Sequence, residues 1–263
     1  MNYAYIKRAA NYPSVINLNP SLTINGTAVT PTFRYKLGDA NATNLVPWGY
    51  GATLSRVAVA TPPTYNAGSP GLGANDDSCK FNDSDYYKNA TAVNQITTGD
   101  IAIELIFKFY DESSYLVSTY DASTGYIVRF SSNKLILSIV DSGGSAEVDS
   151  AATLVDGVWY HAMIFVNRDE DSNNGSRIYI NGVLSGAGDD LSARSGTLAA
   201  AQGFSLGARY DGTVSCNTTI AYLAAWESAS WFQAGAAGPA EWATIAAARF
   251  ASLKAGWDWA SLT

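Results

Sequence analysis

His161 is the sole histidine in the 263-residue chain, so a Ser-His-Asp relay has one candidate base and no second. It sits in the run Trp159-Tyr160-His161-Ala162-Met163-Ile164-Phe165-Val166. In an extended chain Trp159, His161, Met163 and Phe165 share one side, and Tyr160, Ala162, Ile164 and Val166 share the other. A histidine among such neighbours reads as a partly buried, hydrogen-bonded structural side chain. The acidic run Asp169-Glu170-Asp171 falls in a polar loop, away from any strand pattern. Trp48 and Tyr50, in Val46-Pro47-Trp48-Gly49-Tyr50-Gly51, offer flat rings that either stack on a sugar or cap the open end of a core.

The elements that must position these residues are mostly strands. An Asp156-Gly157 turn feeds the Trp159 run, and both sides of that run are apolar. Both sides therefore need cover, as in a central strand of a two-layer β-structure. Arg177-Ile178-Tyr179-Ile180 ends in Asn181-Gly182, the dipeptide suited to a two-residue type I′ hairpin. Ile101, Ile103, Leu105, Phe107 and Phe109 alternate with Ala102, Glu104, Ile106 and Lys108. Residues 115–119, 126–130 and 134–140 read as further strands, with glycine-containing turns between them. The spacing predicts antiparallel sheets with Ile103, Leu105, Phe107, Leu137, Trp159, Met163, Phe165, Ile180, Leu206 and Tyr222 in the sandwich core. After Gly238-Pro239 the period changes, and Trp242, Ile245, Ala246, Phe250 and Leu253 mark one face of a helix.

Composition narrows the function. Hydrophobic residues make up 47% and charged residues 15%, below the usual quarter for globular chains. A net charge of −7 without a run of Lys or Arg argues against nucleic acid. No apolar stretch approaches a membrane span, so membrane insertion is not expected. The N-terminal residues lack the apolar segment of a secretory signal. Without one, the Asn-x-Ser/Thr triplets at Asn25, Asn41, Asn82, Asn89, Asn174 and Asn217 read as turns, not as glycosylation sites.

A turn into Trp159-Tyr160-His161, a polar loop, then Tyr179-Ile180-Asn181-Gly182 resembles the core signature of laminin G-like domains. These belong to the concanavalin A-like lectin/glucanase jelly rolls. Residues 77–86, Phe204-Ser205-Leu206-Gly207 and residues 220–226 are similar to other core strands of that family, in the same order. The resemblance spans residues 34–228. It implies an all-β fold, a two-sheet antiparallel jelly-roll sandwich over residues 32–230. Residues 1–31 then form an N-terminal extended arm, docked on a neighbour or on its own domain, and residues 231–263 a C-terminal helix and tail. Cys79 and Cys216 would lie near neighbouring core strands, as a disulfide or as two buried thiols.

The same resemblance bears on chemistry. β-Glucan hydrolases of the superfamily carry Glu-x-Asp-x-x-Glu on one strand. Here Glu104 is followed by Leu105-Ile106-Phe107, with no carboxylate at that spacing. The alginate-lyase branch carries Gln-x-His, and His161 has no such neighbour. No catalytic residue is assigned, and the chain is expected not to be an enzyme. Laminin G-like relatives hold Ca²⁺ with loop Asp and Asn, which makes Asp121, Asp189, Asp190 and Asp211 candidate metal ligands. The same residues are ordinary turn chemistry, and no other cofactor is implied.

A module that resembles extracellular ones, in a chain that starts at Met without an export signal, fits a protein used after host lysis. The expectation is a bacteriophage virion structural protein, a head decoration or tail component made in the host cytoplasm. Its arm would join other virion proteins or copies of itself. The alternative is a carbohydrate-binding lectin or adhesion module recognising host-surface carbohydrate through Trp48 and Tyr50. A glycoside-active enzyme is the third.

Overall fold

The computed structural model describes residues 21–37, 44–57, 64–65, 78–82, 86–89, 91, 93–110, 113–228 and 238–256. Strands β1 (Leu22–Ile24) and β2 (Thr27–Val29) pair as a hairpin. Asn25 and Gly26 turn it with φ of 50° and 74°, the doubly positive pair a type I′ turn needs. Six short strands follow among the prolines and glycines: β3 (Phe33–Lys36), β4 (Asn44–Leu45), β5 (Leu54–Val57), β6 (Thr64–Tyr65), β7 (Cys79–Lys80) and β8 (Tyr86–Lys88). Then come β9 (Asp100–Lys108), β10 (Ser113–Ser118), β11 (Gly125–Ser131), β12 (Lys134–Asp141) and β13 (Gly144–Asp149). The chain continues through β14 (Trp159–Val166), β15 (Ser176–Ile180), β16 (Val183–Leu184), β17 (Ser205–Leu206) and β18 (Thr219–Ser228) to helix α1 (Gly238–Gly256).

Besides the β1–β2 hairpin, these strands make two antiparallel sheets. The front sheet runs β13-β12-β11-β10-β17-β8-β5-β4, and the back sheet runs β16-β15-β14-β9-β18-β7-β6, with β3 also on β18. This is the expected jelly-roll sandwich with a C-terminal helix. Asn181 and Gly182 turn β15 into β16 at φ of 51° and 76°, as their sequence predicts. Ser132 and Asn133 make a comparable turn between β11 and β12 at 52° and 59°, without a glycine.

The apolar residues divide into two cores. Ile103, Leu105, Phe107, Leu137, Ile180 and Leu206 lie between the sheets. Trp159, Met163, Phe165 and Tyr222 are also buried, but in a second core on the outer side of the back sheet. Alternation assigns residues to two faces without saying what lies over each face. All eight residues of β14 are buried, because the front sheet covers one side and α1 the other. Trp242, Ala246 and Leu253 are the buried stripe of α1, and the Trp242 ring stacks on Phe165 at 5.5 Å and 15°. Ala102, Ala221 and Ala224 on β9 and β18 keep the sheet surface low beneath this second core.

The β1–β2 hairpin seals the same face. Leu22 and Ile24 are buried in the second core, and β2 touches β18. The Asn25 N–H donates to both oxygens of Glu241 in the first turn of α1, at 2.9 and 3.0 Å. So of the two places open to the arm, residues 22–29 take the one on their own domain. Residues 1–20 of the arm lie outside the described residues, as do Trp257 and Trp259. Cys79 and Cys216 carry thiols and are buried between the sheets.

Candidate functional site

Glu104 and His161, the two side chains nearest to catalytic chemistry in the sequence, meet in the second core. They are diagonal neighbours across the β9–β14 pair, where Glu104 lies opposite Met163 and His161 opposite Ile106, and His161 Nε2 lies 2.9 Å from Glu104 Oε1. Arg249 of α1 donates to both carboxylate oxygens, Nε at 3.0 Å to Oε1 and Nη2 to Oε2. Both Glu104 and His161 are fully buried, and the imidazole stacks on Phe250 at 5.9 Å. Burial pushes the Glu104 carboxyl up, but the Arg249 charge and the hydrogen bonds from His161 and Arg249 outweigh it and hold the group at about 2. A carboxylate this acidic and this covered neither donates a proton near neutral pH nor reaches a substrate. The cluster clasps α1 to the back sheet.

Trp48 belongs to the same packing. The Arg34 guanidinium lies over its ring at 3.6 Å, and Tyr222 meets it edge-on at 6.4 Å. Its body lies against the second core, half-buried. Tyr50 is half-buried nearby, and its carbonyl accepts from the Arg34 N–H at 2.9 Å. Of the two rings sequence reasoning put forward for a sugar, Trp48 thus sits at the rim of the covered face.

The four candidate calcium ligands occupy turns. Asp121 accepts from Ser123 and Thr124 and, through Oδ2, from the Ala201 N–H at 2.8 Å. Burial pushes its carboxyl up, and these bonds together outweigh it and pull the group down to about 2. Asp211 accepts from Thr213 N–H and O–H at 3.0 and 2.6 Å. Asp189 accepts from the Asp190 N–H, and Asp190 from the Ser192 N–H, both at 2.8 Å. Among the described residues no three His, Cys, Asp or Glu side chains converge on a metal-sized site. The Asn89 amide is likewise used internally, donating to the Thr53 carbonyl at 2.9 Å.

The front sheet presents a different surface. Lys88 pairs with Ser205, and Ser205 with Ser118. The neighbouring row, Tyr87, Leu206 and Val117, lies in the inter-sheet core. Lys88, Ser205, Ser118 and Tyr86 therefore project outward. A small hairpin folds back over this row. Ala208 bridges Ser215, the Arg209 N–H donates to Val214 O at 2.8 Å, and the Gly212 N–H donates to Arg209 O at 2.8 Å. Ser205 Oγ shares its proton between the Ser118 and Ala208 carbonyls, at 3.0 and 2.8 Å, which ties the hairpin to the sheet. Gly212 has φ of 77°, and an added Cβ there would sit 3.0 Å from the Tyr86 hydroxyl.

The result is a ledge of tyrosines and cations. Lys88 Nζ lies 5.1 Å from the Tyr210 ring centre and 5.7 Å from that of Tyr86. The Arg209 guanidinium lies 5.2 Å from the Tyr120 ring. Lys88, Tyr120, Arg209 and Tyr210 are half-buried, with atoms still at the surface. Arg209 has one carboxylate contact among the described residues, Nε to Asp211 Oδ2 at 3.5 Å, and Lys88 has none among them. Farther along the face the charges are matched. Arg129 Nη2 donates to both Glu147 oxygens at 2.9 and 3.0 Å, and Lys134 Nζ lies 2.6 Å from Asp149. Lys134 and Asp149 also line a cleft of about 180 Å³ against Gly186, Ala187 and Gly188.

Sequence reasoning missed this ledge. Its members come from β8, the end of β10 and the loop after β17, and no spacing links them. The signal was local: Tyr86-Tyr87-Lys88 and Arg209-Tyr210 are aromatic-basic pairings in a chain poor in charge.

Residues 81–230, more than half of the chain, match the laminin G-type family model of the concanavalin A-like lectin/glucanases superfamily, and the chain belongs to this family. No curated protein matches the sequence. Among solved structures it is similar to the binding domain of Paraclostridial Mosquitocidal Protein 1, with a TM-score of 0.57 and 12% identity over 85% of this chain and 52% of that one. It is similar to Domain 4 of AbnA, a GH43 extracellular arabinanase from Geobacillus stearothermophilus, in complex with arabinotriose. That match has a TM-score of 0.52 and 14% identity, covering 83% of this chain and 98% of that one. A third is the ligand binding domain of botulinum neurotoxin serotype D in complex with N-acetylneuraminic acid, at 0.54 and 10%, covering 76% and 48%. The chain spans about half the length of the toxin domains it matches. At such identities these likenesses establish the lectin-like fold alone.

Proposed function

We propose that the chain is a non-catalytic glycan-binding module and that it holds its ligand on the outer face of the front sheet. One observation carries this reading: a half-buried ledge of Tyr120 and Tyr210 with Lys88 and Arg209, on the outer face of the front sheet where the 208–215 hairpin covers Tyr86 and leaves these four at the surface. Tyrosines supply rigid apolar faces for sugar rings and hydroxyls for their polar edges. The neighbours solved with arabinotriose and with N-acetylneuraminic acid support a carbohydrate ligand for this fold. The locked Glu104–His161–Arg249 cluster supports binding without turnover.

A bacteriophage virion is the finer setting we carry forward from the sequence. A glycan-binding module suits a particle that meets a host surface. Residues 22–29 are committed to the back sheet, so attachment would fall to residues 1–20.

The test is a glycan array probed with the wild-type chain and with Tyr210→Ala. Binding that Tyr210→Ala weakens at least fivefold, with unchanged thermal stability, supports the reading. No bound glycan, or release of reducing ends from any of them, sinks it.

A further inference from the structure

We infer that the ligand taken at this ledge is an anionic saccharide, gripped at its carboxylate or sulfate by Lys88 and Arg209; the inference rests on the glycan-binding reading. Neutral sugars are read by hydroxyl partners, usually amide and carboxylate side chains, with an aromatic ring beneath. Here the groups set against the rings are cations, and the one carboxylate beside them, Asp211, lies behind Arg209. The Lys88 ammonium touches two tyrosine rings and no carboxylate among the described residues. A cation over a ring keeps its position and still points N–H groups away from that ring. The hold is a loose one at 5.1 to 5.7 Å, unlike the 3.6 Å stack of Arg34 on Trp48, so a ligand can share it.

Arg209 is oriented for the same task. Its Nε faces Asp211, whose carboxylate is itself fixed by the Thr213 N–H and O–H. This contact orients the guanidinium by its inner nitrogen. A planar guanidinium binds a carboxylate or sulfate through a two-pronged fork, while the ammonium of Lys88 adds a point charge. The other cations of this face, Arg129 and Lys134, are already neutralised by Glu147 and Asp149. The ammonium without a carboxylate partner among the described residues is thus that of Lys88, beside an Arg209 that shares Asp211 at 3.5 Å, in a chain whose net charge is −7. A half-buried site makes that charge count for more than at an open surface. An uncharged saccharide gains nothing from it.

The experiment is titration calorimetry on the full chain with matched saccharides: sialyllactose against lactose, oligogalacturonate against its methyl ester, and a sulfated heparin fragment against its desulfated form. The expected result is at least tenfold tighter binding of an anionic member than of its neutral counterpart. Lys88→Met and Arg209→Met should each remove most of that preference, and Lys88→Arg should restore it. Raising sodium chloride to 0.5 M should weaken the anionic ligand selectively. The carboxylated and sulfated arms tell which acid group is recognised. Neutral and anionic members bound equally, or a preference that survives both Met variants, overturns the inference while leaving the glycan-binding reading in place. No binding in any arm overturns both.

Discussion

The outer faces of the two sheets begin from similar ingredients and end differently. On the back sheet, Trp159, Phe165, Tyr179, Tyr222 and Trp226 lie beneath α1 and the β1–β2 hairpin. Of the cations in this layer, Arg249 meets a buried carboxylate, and Arg34 stacks on Trp48 and donates to the Tyr222 hydroxyl. On the front sheet, Tyr120 and Tyr210 stay half-buried on a ledge with cations beside the buried Tyr86, and Lys88 has only rings as side-chain partners among the described residues. Aromatics and basic groups therefore do not mark a binding surface by their presence. What distinguishes the faces is whether the cation is satisfied internally and whether a layer excludes water from the rings.

The largest test of that contrast is the buried clasp. Glu104→Ala leaves Arg249 and His161 facing a buried site without their counter-charge, and should cost about 3–5 kcal/mol in urea unfolding. Trp242→Ala, which removes the ring stacked on Phe165, should cost a comparable ~3–5 kcal/mol and loosen α1. A loss below 1 kcal/mol for either would mean that the helix does not seal the back face.

Acid should weaken the clasp in a defined window. The Glu104 carboxyl sits at about 2 in the fold against an ordinary 4.5. A depressed acid stabilises the fold above its unfolded value, and that contribution fades as pH falls through the folded value. The stability difference between wild type and Glu104→Gln should therefore be full above pH 4.5 and shrink towards pH 2. A difference independent of pH across that window would detach the clasp from this carboxylate.

Smaller effects sharpen the contrast. Glu241→Ala cuts the bond between the arm hairpin and α1, and should cost about 1 kcal/mol by thermal melting. On the front face, Tyr210→Ala should change stability by no more than about 0.5 kcal/mol, because a half-buried loop tyrosine stands outside both cores. Its effect belongs in binding. A Tyr210→Ala chain that unfolds readily would place the ledge among structural elements and erase the difference between the two faces.

The sequence by itself determined the local structure. Period-two runs at Ile101–Phe109 and Trp159–Val166 set the central strands, because alternating side chains of an extended backbone have only two faces to occupy. Asn25-Gly26 and Asn181-Gly182 set two hairpins, because these residues accept positive φ where most others are strained. Pro239 and the Trp242, Ala246 and Leu253 spacing set the helix. Tertiary structure decided what covers each face. Trp159, Met163 and Phe165 could have pointed into the sandwich as well as away from it, and only the docking of α1 placed them in a second core. The same docking turned Glu104 and His161 from possible chemistry into a clasp, through Arg249, which stands far away in sequence. The ledge was decided in the same way. Strand register brings Lys88 and Ser118 level on either side of Ser205, and the Ala208–Ser215 hairpin folds Arg209 and Tyr210 over them. Local propensity carries no information about such pairings, because they depend on which distant strands lie side by side.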